Sequence, residues 1–191
     1  MPREIVEDQV FEKKDFTIHP LPKGEYEFCS FLNCNFSDSD LKGISFSECE
    51  FNACNLTLAK TLGTAFKEVK FRDCKLVGVH FEICSPLLFE VNFENCILDF
   101  SSFFKLKIKK TRFLNCSLKE VDFVEADLMG SSFDGSDLTH AKFEKTNLEN
   151  ADFRYAFGFQ INPAGNSIKK AKFSLAGLEG LLSTFGIEIS P

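Results

Sequence analysis

Among the residues of this chain that could do chemistry, the cysteines show the clearest order. Cys34, Cys54, Cys74, Cys96 and Cys116 stand twenty apart, save for one step of twenty-two, and Cys29 and Cys49 share the interval. Thiolates in such an array could bind metal or form redox pairs, but the CxxC spacing typical of zinc sites is absent. The series runs on as Ser136, Ala156 and Ala176, which fits a small, weakly polar residue filling a narrow interior. Cys84 stands outside both series. The three histidines, His19, His80 and His140, lie far apart. There is no GxSxG, P-loop or HExxH pattern, and Gly43, Gly130 and Gly135 stand singly rather than as a phosphate loop. Nothing suggests a buried, pKa-shifted carboxylate pair. The chain therefore reads as a binding protein rather than an enzyme, with no cofactor and no metal.

The elements that position these residues follow a repeat. A large apolar residue recurs every five positions, at Phe31, Phe36, Leu41, Phe46, Phe51 and Leu56 and again from Phe66 to Phe81. The phase slips by two near Pro86, restarts at Leu88 and holds from Phe93 to Phe153. Helices and strands give periods of 3.6 and 2, so neither accounts for a period of five. Two residues before most of the large ones stands a small one, as at Ala126, Ser131, Ser136, Ala141, Thr146 and Ala151. Beneath the five lies a period of twenty. Phe31, Phe51, Phe71, Phe93, Phe113, Phe133, Phe153 and Phe173 form one column of a single residue type, the expected structural core. A second column reads Phe36, Leu56, Leu76, Leu98, Leu118, Leu138, Gly158 and Leu178. Four pentapeptides per coil and a strand spacing of about 4.8 Å predict a four-sided rod of about eight coils, roughly 40 Å long.

Composition agrees. The chain has 191 residues, with 24 Phe against 2 Tyr and no Trp. That bias suits an interior needing a flat ring with no polar group to satisfy. A net charge of −6 argues against direct nucleic-acid binding, which leaves a basic footprint, and favours basic partner surfaces. No run approaches the roughly 18 apolar residues of a membrane span, and the charged N-terminus does not read as a signal peptide. The expectation is a cytoplasmic protein with reduced thiols.

Residues 1–20 read as a lead-in or N-terminal cap, 21–173 as the solenoid and 174–191 as a terminal helix and strand. Breaks fall near Thr61, near Pro86 and across 158–167. From Leu175 onward the spacing becomes three-and-four, through Leu178, Leu181, Leu182 and Phe185, which predicts a short amphipathic helix. Gly186 is a suitable stop, and Ile187-Glu188-Ile189 is strand-like. Such a helix would cover the solenoid end and leave apolar surface for a second copy, so Leu178, Leu181, Leu182, Phe185 and Ile187 are the expected homodimer interface.

Segments such as EADLM, GSDLT, KTNLE and NADFR resemble the A(D/N)Lxx consensus of the pentapeptide-repeat family, over residues from about 26 to 178. The resemblance implies an all-β fold, a right-handed quadrilateral β-helix. The ending LLSTFGIEISP, with FDGSDLTHAKF and the coils from EFCSF to ECEF, is similar to the quinolone-resistance (Qnr) branch. That likeness implies a rod-shaped homodimer joined at its C-terminal ends, mimicking duplex DNA and binding DNA gyrase or topoisomerase IV. Where enteric members carry two large loops, this chain has only the turn at Thr61 and a short insertion at Pro86; mycobacterial relatives also lack large loops. Residues 1–95 hold 10 Lys/Arg and 16 Asp/Glu (10 − 16 = −6), and residues 96–191 hold 12 of each. Asp122, Glu125, Asp127, Asp134 and Asp137 form an acidic stretch, expected to point outward and contact the partner, with Pro86 and Leu87 as the remnant of a loop. A pentapeptide-repeat interaction module with an unrelated partner is the alternative.

Overall fold

The five-residue period is written into the backbone as a corner. Two residues after each large apolar residue the chain enters the left-handed region, as at Asn33, Asp38, Glu48 and Ala53, with φ of 54°, 55°, 50° and 51°. A left-handed third residue is what a type II turn requires, and the Phe36 carbonyl accepts from the Ser39 amide at 3.0 Å across Asp38. Gly43, Gly63, Gly130 and Gly135 occupy the same corner with positive φ, which explains why these glycines stand singly in the sequence.

Four corners complete a coil, and successive coils pair in parallel. In the computed structural model, which describes residues 4–187, these coils stack into a four-sided β-solenoid. One side carries β2 (Val10–Glu12), β4 (Ser30–Leu32), β6 (Glu50–Asn52), β8 (Val69–Arg72), β9 (Val91–Glu94) and β10 (Phe113–Leu114) as a six-stranded sheet. The preceding side carries β1 (Glu4–Glu7), β3 (Gly24–Glu27), β5 (Ser45–Ser47) and β7 (Ala65–Lys67) as a four-stranded sheet. Beyond β10 the same register continues as isolated bridges, such as Ser132↔Asp152 and Asp152↔Lys172.

The phenylalanine column is continuous. It begins at Phe11 and ends at Phe173, with eight stacking steps between ring centroids 4.6 to 5.3 Å apart. Phe31 to Phe153 are fully buried, and Phe173 is partly buried at the end. Each buried ring contributes about 1.5–3 kcal/mol of hydrophobic stabilisation. Offset stacking adds about 0.5–1.5 kcal/mol per pair.

The small inward position has its own logic. The Cys54 thiol donates to the Phe31 carbonyl at 3.2 Å, the Ser136 hydroxyl to Phe113 O at 3.1 Å and the Thr146 hydroxyl to Phe123 O at 2.8 Å. The same atoms accept from the previous coil: the Cys34 amide donates to Cys54 Sγ and the Cys116 amide to Ser136 Oγ. Cys, Ser and Thr are interchangeable here because each is small and satisfies buried backbone groups that would otherwise be orphaned. All eight cysteines are free and buried.

Several sequence expectations shift. Residues 4–12, placed in the lead-in or cap, already form paired strands: Glu4 lies opposite Gly24 and Phe11 opposite Phe31. Thr61 is buried in a large-residue slot, its hydroxyl bonded to the His80 carbonyl at 2.6 Å. At the phase slip Leu88 does not point inward; it is exposed in a left-handed corner (φ 57°), and Phe89 packs inward against Phe66 and Phe81. Two extra residues leave the chain free to present either side chain, and the aromatic neighbours favour the ring. Gly158 is likewise an exposed left-handed corner while Phe159 and Ile161 are buried. Leu178 does not continue the leucine column, because the chain has left the coil to form a 3-10 turn at Leu175–Leu178, α1 (Glu179–Leu182) and a 3-10 turn at Ser183–Phe185. Gly186 ends the helix with φ 62°. Of the strand-like ending, Glu188 and Ile189 lie outside the described residues.

Candidate functional site

A solenoid whose inward positions are consumed by packing can act only through its outward columns and its ends. The five acidic candidates are outward, but they do not form one surface. Asp122 pairs laterally with Ser102 and Lys142, Asp127 with Lys107 and Asn147, and Asp137 with Ser117 and Phe157. With Glu125 beside Asp122, and with Asp134 next to the Ser132 column, the five occupy all four sides of one coil. Nor are they free. Asp122 Oδ1 accepts from the Val124 amide at 2.8 Å, Asp127 from Met129 at 3.3 Å and Asp137 from Thr139 at 3.0 Å. Lys105, Lys109 and Lys119 pair with Glu125, Asp127 and Asp137 at 3.5, 3.1 and 3.4 Å. Partial burial opposes ionisation of Asp137, but the Thr139 hydroxyl and amide and the Lys119 ammonium together hold its carboxyl below the ordinary value. Asp122, Asp127 and Asp137 are therefore turn-forming residues. The residue before each inward leucine or phenylalanine is the one placed to cap the turn, so three of the five outward acids also serve the fold.

Unpaired charge gathers elsewhere. The side carrying β1, β3, β5 and β7 presents Glu7, Asp8, Glu27, Glu48, Glu68 and, beyond the bulge, Glu90. Among the described residues none of these six makes an ion pair or a side-chain hydrogen bond. Glu4 lies on the same side, and Lys67 is the one cation among the described residues of these four strands. These acids are scattered along the chain, and only the period of twenty, the same that orders the phenylalanines, brings Glu7 with Glu27, and Glu48 with Glu68, into columns. The bulge closes this side, with Pro86 and Leu87 both exposed.

The C-terminal candidates divide. Leu178, Phe185 and Ile187 are exposed. Leu181 is instead packed against the core, and Leu182 is half-buried. The helix lies close on the last coil: the Ile161 amide donates to the Gly180 carbonyl at 2.9 Å, and a Cβ on Gly180 would strike the Phe159 carbonyl.

The titratable residues flagged by chemistry are arranged for structure. His80 Nδ1 lies 2.7 Å from Glu82 Oε1 on the surface, while His19 and His140 are exposed on other coils. Burial pushes the Cys49 and Cys84 thiols up to about 12. Among the described residues no group of three or more His, Cys, Asp or Glu is placed to hold a metal, and no helix is long and apolar enough to cross a membrane.

Residues 78–153 match the family model described as a pentapeptide repeat region, and residues 29–60 match the one described as pentapeptide repeats in eight copies. No curated protein matches the chain. Among solved structures, a trypsin-treated variant of QnrB1, a plasmid-mediated fluoroquinolone resistance protein, is similar at 18% identity. Its TM-score is 0.66, covering 98% of this chain and 92% of that one. A second trypsin-treated QnrB1 variant gives 17% identity and a TM-score of 0.63, covering 98% of this chain and all of that one. Since the repeat is present in the sequence over both matched segments and in the backbone corners between and beyond them, the chain belongs to the pentapeptide-repeat family, and its fold is similar to that of QnrB1.

Proposed function

We propose that this protein is a cytoplasmic, DNA-mimicking binding protein whose partner is a type II topoisomerase, DNA gyrase or topoisomerase IV, and that it acts without catalysing a reaction. The observation that supports it most is a continuous rod, spined by nine stacked rings from Phe11 to Phe173, that exposes only its outward columns in a chain of net charge −6. A rigid anionic rod competes for a surface that grips duplex DNA, because such a surface is built to neutralise regularly spaced phosphates. The likeness to QnrB1, a fluoroquinolone resistance protein, supports the same partner class. In this reading two copies join through Leu178, Leu182, Phe185 and Ile187 at the C-terminal ends, doubling the rod. Protection from quinolones is a separate property and would involve the bulge at Pro86 and Leu87.

The test is a supercoiling and decatenation assay with purified gyrase and topoisomerase IV, with and without ciprofloxacin. Inhibition that weakens as salt rises is expected, because screening acts on exposed charge. No binding and no change in either activity at about ten micromolar, a Kd near 7 kcal/mol of affinity, would leave an interaction module with a different partner.

A further inference from the structure

We propose that the side carrying β1, β3, β5 and β7, together with the corner residue Phe28 and the bulge leucines Leu87 and Leu88, is a docking surface for a lysine- and arginine-rich protein surface that also offers an apolar recess. The proposal rests on the reading of the protein as an anionic partner and assigns the contact to the N-terminal half of the rod, away from the C-terminal end.

Two independent features coincide on this side. The first is charge that the fold does not use. Glu27, Glu48, Glu68 and Glu90 have no ion-pair partner among the described residues, whereas Glu125, Asp127 and Asp137 in the C-terminal half are paired with lysines. Unpaired like charges held on one rigid face repel one another, and a basic surface relieves that repulsion while gaining complementarity. The second is apolar surface in a place where the fold gains nothing from it. Phe28 is 52% exposed at φ 54° and Leu88 is 69% exposed at φ 57°. Phe28 stands in the corner column that also holds Asp8, Glu48 and Glu68, and Leu88 lines a surface pocket with Glu48, Lys67, Glu68 and Glu90. A left-handed corner favours Gly, Asn or Asp, and Asn33, Asn95, Asn115 and Asn150 fill other corners of this chain. An exposed ring and an exposed leucine among carboxylates are the mixture that anchors an interface, with aromatic contact in the middle and charge around it.

Three variants separate the contributions. The face variant is Glu27→Gln, Glu48→Gln, Glu68→Gln and Glu90→Gln. The anchor variant is Phe28→Asn with Leu88→Asn, substitutions suited to left-handed corners, so that thermal stability should be unchanged or raised. The comparison variant is Glu144→Gln with Glu149→Gln, two acids of the C-terminal half. Binding to gyrase and topoisomerase IV is measured by titration at two salt concentrations, alongside binding to a synthetic oligolysine peptide carrying one phenylalanine. The expected result is at least a tenfold loss in the face variant and a reduced salt dependence. The anchor variant should lose several-fold with salt dependence intact, and the comparison variant should stay within twofold. If the wild type binds a topoisomerase and the face and anchor variants bind as well as it does, the docking surface is wrong and the topoisomerase reading stands. If the wild type binds neither topoisomerase, that reading falls and the peptide decides: a loss confined to the face and anchor variants supports the surface, and equal losses in all three overturn it.

Discussion

Phe133 is fully buried between Phe113 and Phe153, with ring centroids 5.1 and 4.6 Å away. Truncating it removes two stacking partners and leaves a cavity that a repeating backbone cannot close locally. Phe133→Ala should cost about 3–5 kcal/mol, while Asp134→Asn, one residue along and exposed, should cost less than about 1 kcal/mol. Equal midpoint shifts in a denaturant titration would contradict the inward and outward assignment. The thiols provide a second residue-scale test. Cys49 and Cys84 keep their protons to about pH 12 in the folded chain because burial disfavours the thiolate, whereas an unfolded cysteine ionises near 8.5. The unfolded state therefore releases protons first, and the stability these thiols contribute is fully present below about pH 8.5 and declines as pH rises above it. Native protein should label slowly with a thiol reagent at pH 8, and rapid labelling of Cys49, Cys54 or Cys74 would show that the interior is open.

At the scale of elements, the informative place is the bulge between Cys84 and Glu90. β8 and β9 pair in full register, Phe71 opposite Phe93, although twenty-two residues separate them. The two extra residues are thus absorbed on the preceding side, where β7 has no strand beyond it in its sheet. Deleting Pro86 and Leu87 restores the period and should turn Leu88 inward in place of Phe89. The solenoid should persist, with a melting temperature within a few degrees of wild type, since a surface loop of this size carries only a small closure cost. Loss of cooperative unfolding in the deletion would mean that the bulge is needed to hold the coils on either side.

For the whole molecule, the C-terminal end decides whether one rod or two is the functional unit. Leu182→Asp with Phe185→Asp places charge on half-buried and exposed positions of the terminal helix while leaving Leu181 packed against the core. Light scattering should report a dimer for the wild type and a monomer for the variant, with circular dichroism unchanged. A wild-type monomer at micromolar concentration would refute end-to-end pairing. It would leave the docking surface on the β1, β3, β5 and β7 side unaffected, since that surface lies within a single chain.

The repeat alone specifies the solenoid, its coil length and, away from Leu88, Gly158 and Leu178, which residues face inward, down to the phenylalanine column and the interchange of Cys34, Cys54 and Cys74 with Ser136. This was possible because every coil repeats the same backbone, so a position's environment depends only on its place in the period. The tertiary structure decided what the period leaves open. It turned Phe89 rather than Leu88 inward, because the slip removes the constraint of phase and packing against Phe66 and Phe81 takes over. It showed Asp122, Asp127 and Asp137 to be turn-forming and dispersed around a coil, and it gathered Glu7, Glu27, Glu48 and Glu68 onto one side. Inward positions have one physical requirement, to fill a narrow dry interior. Outward positions have none until coils are stacked, and only then do lateral neighbours determine which charges are neutralised and which remain for a partner.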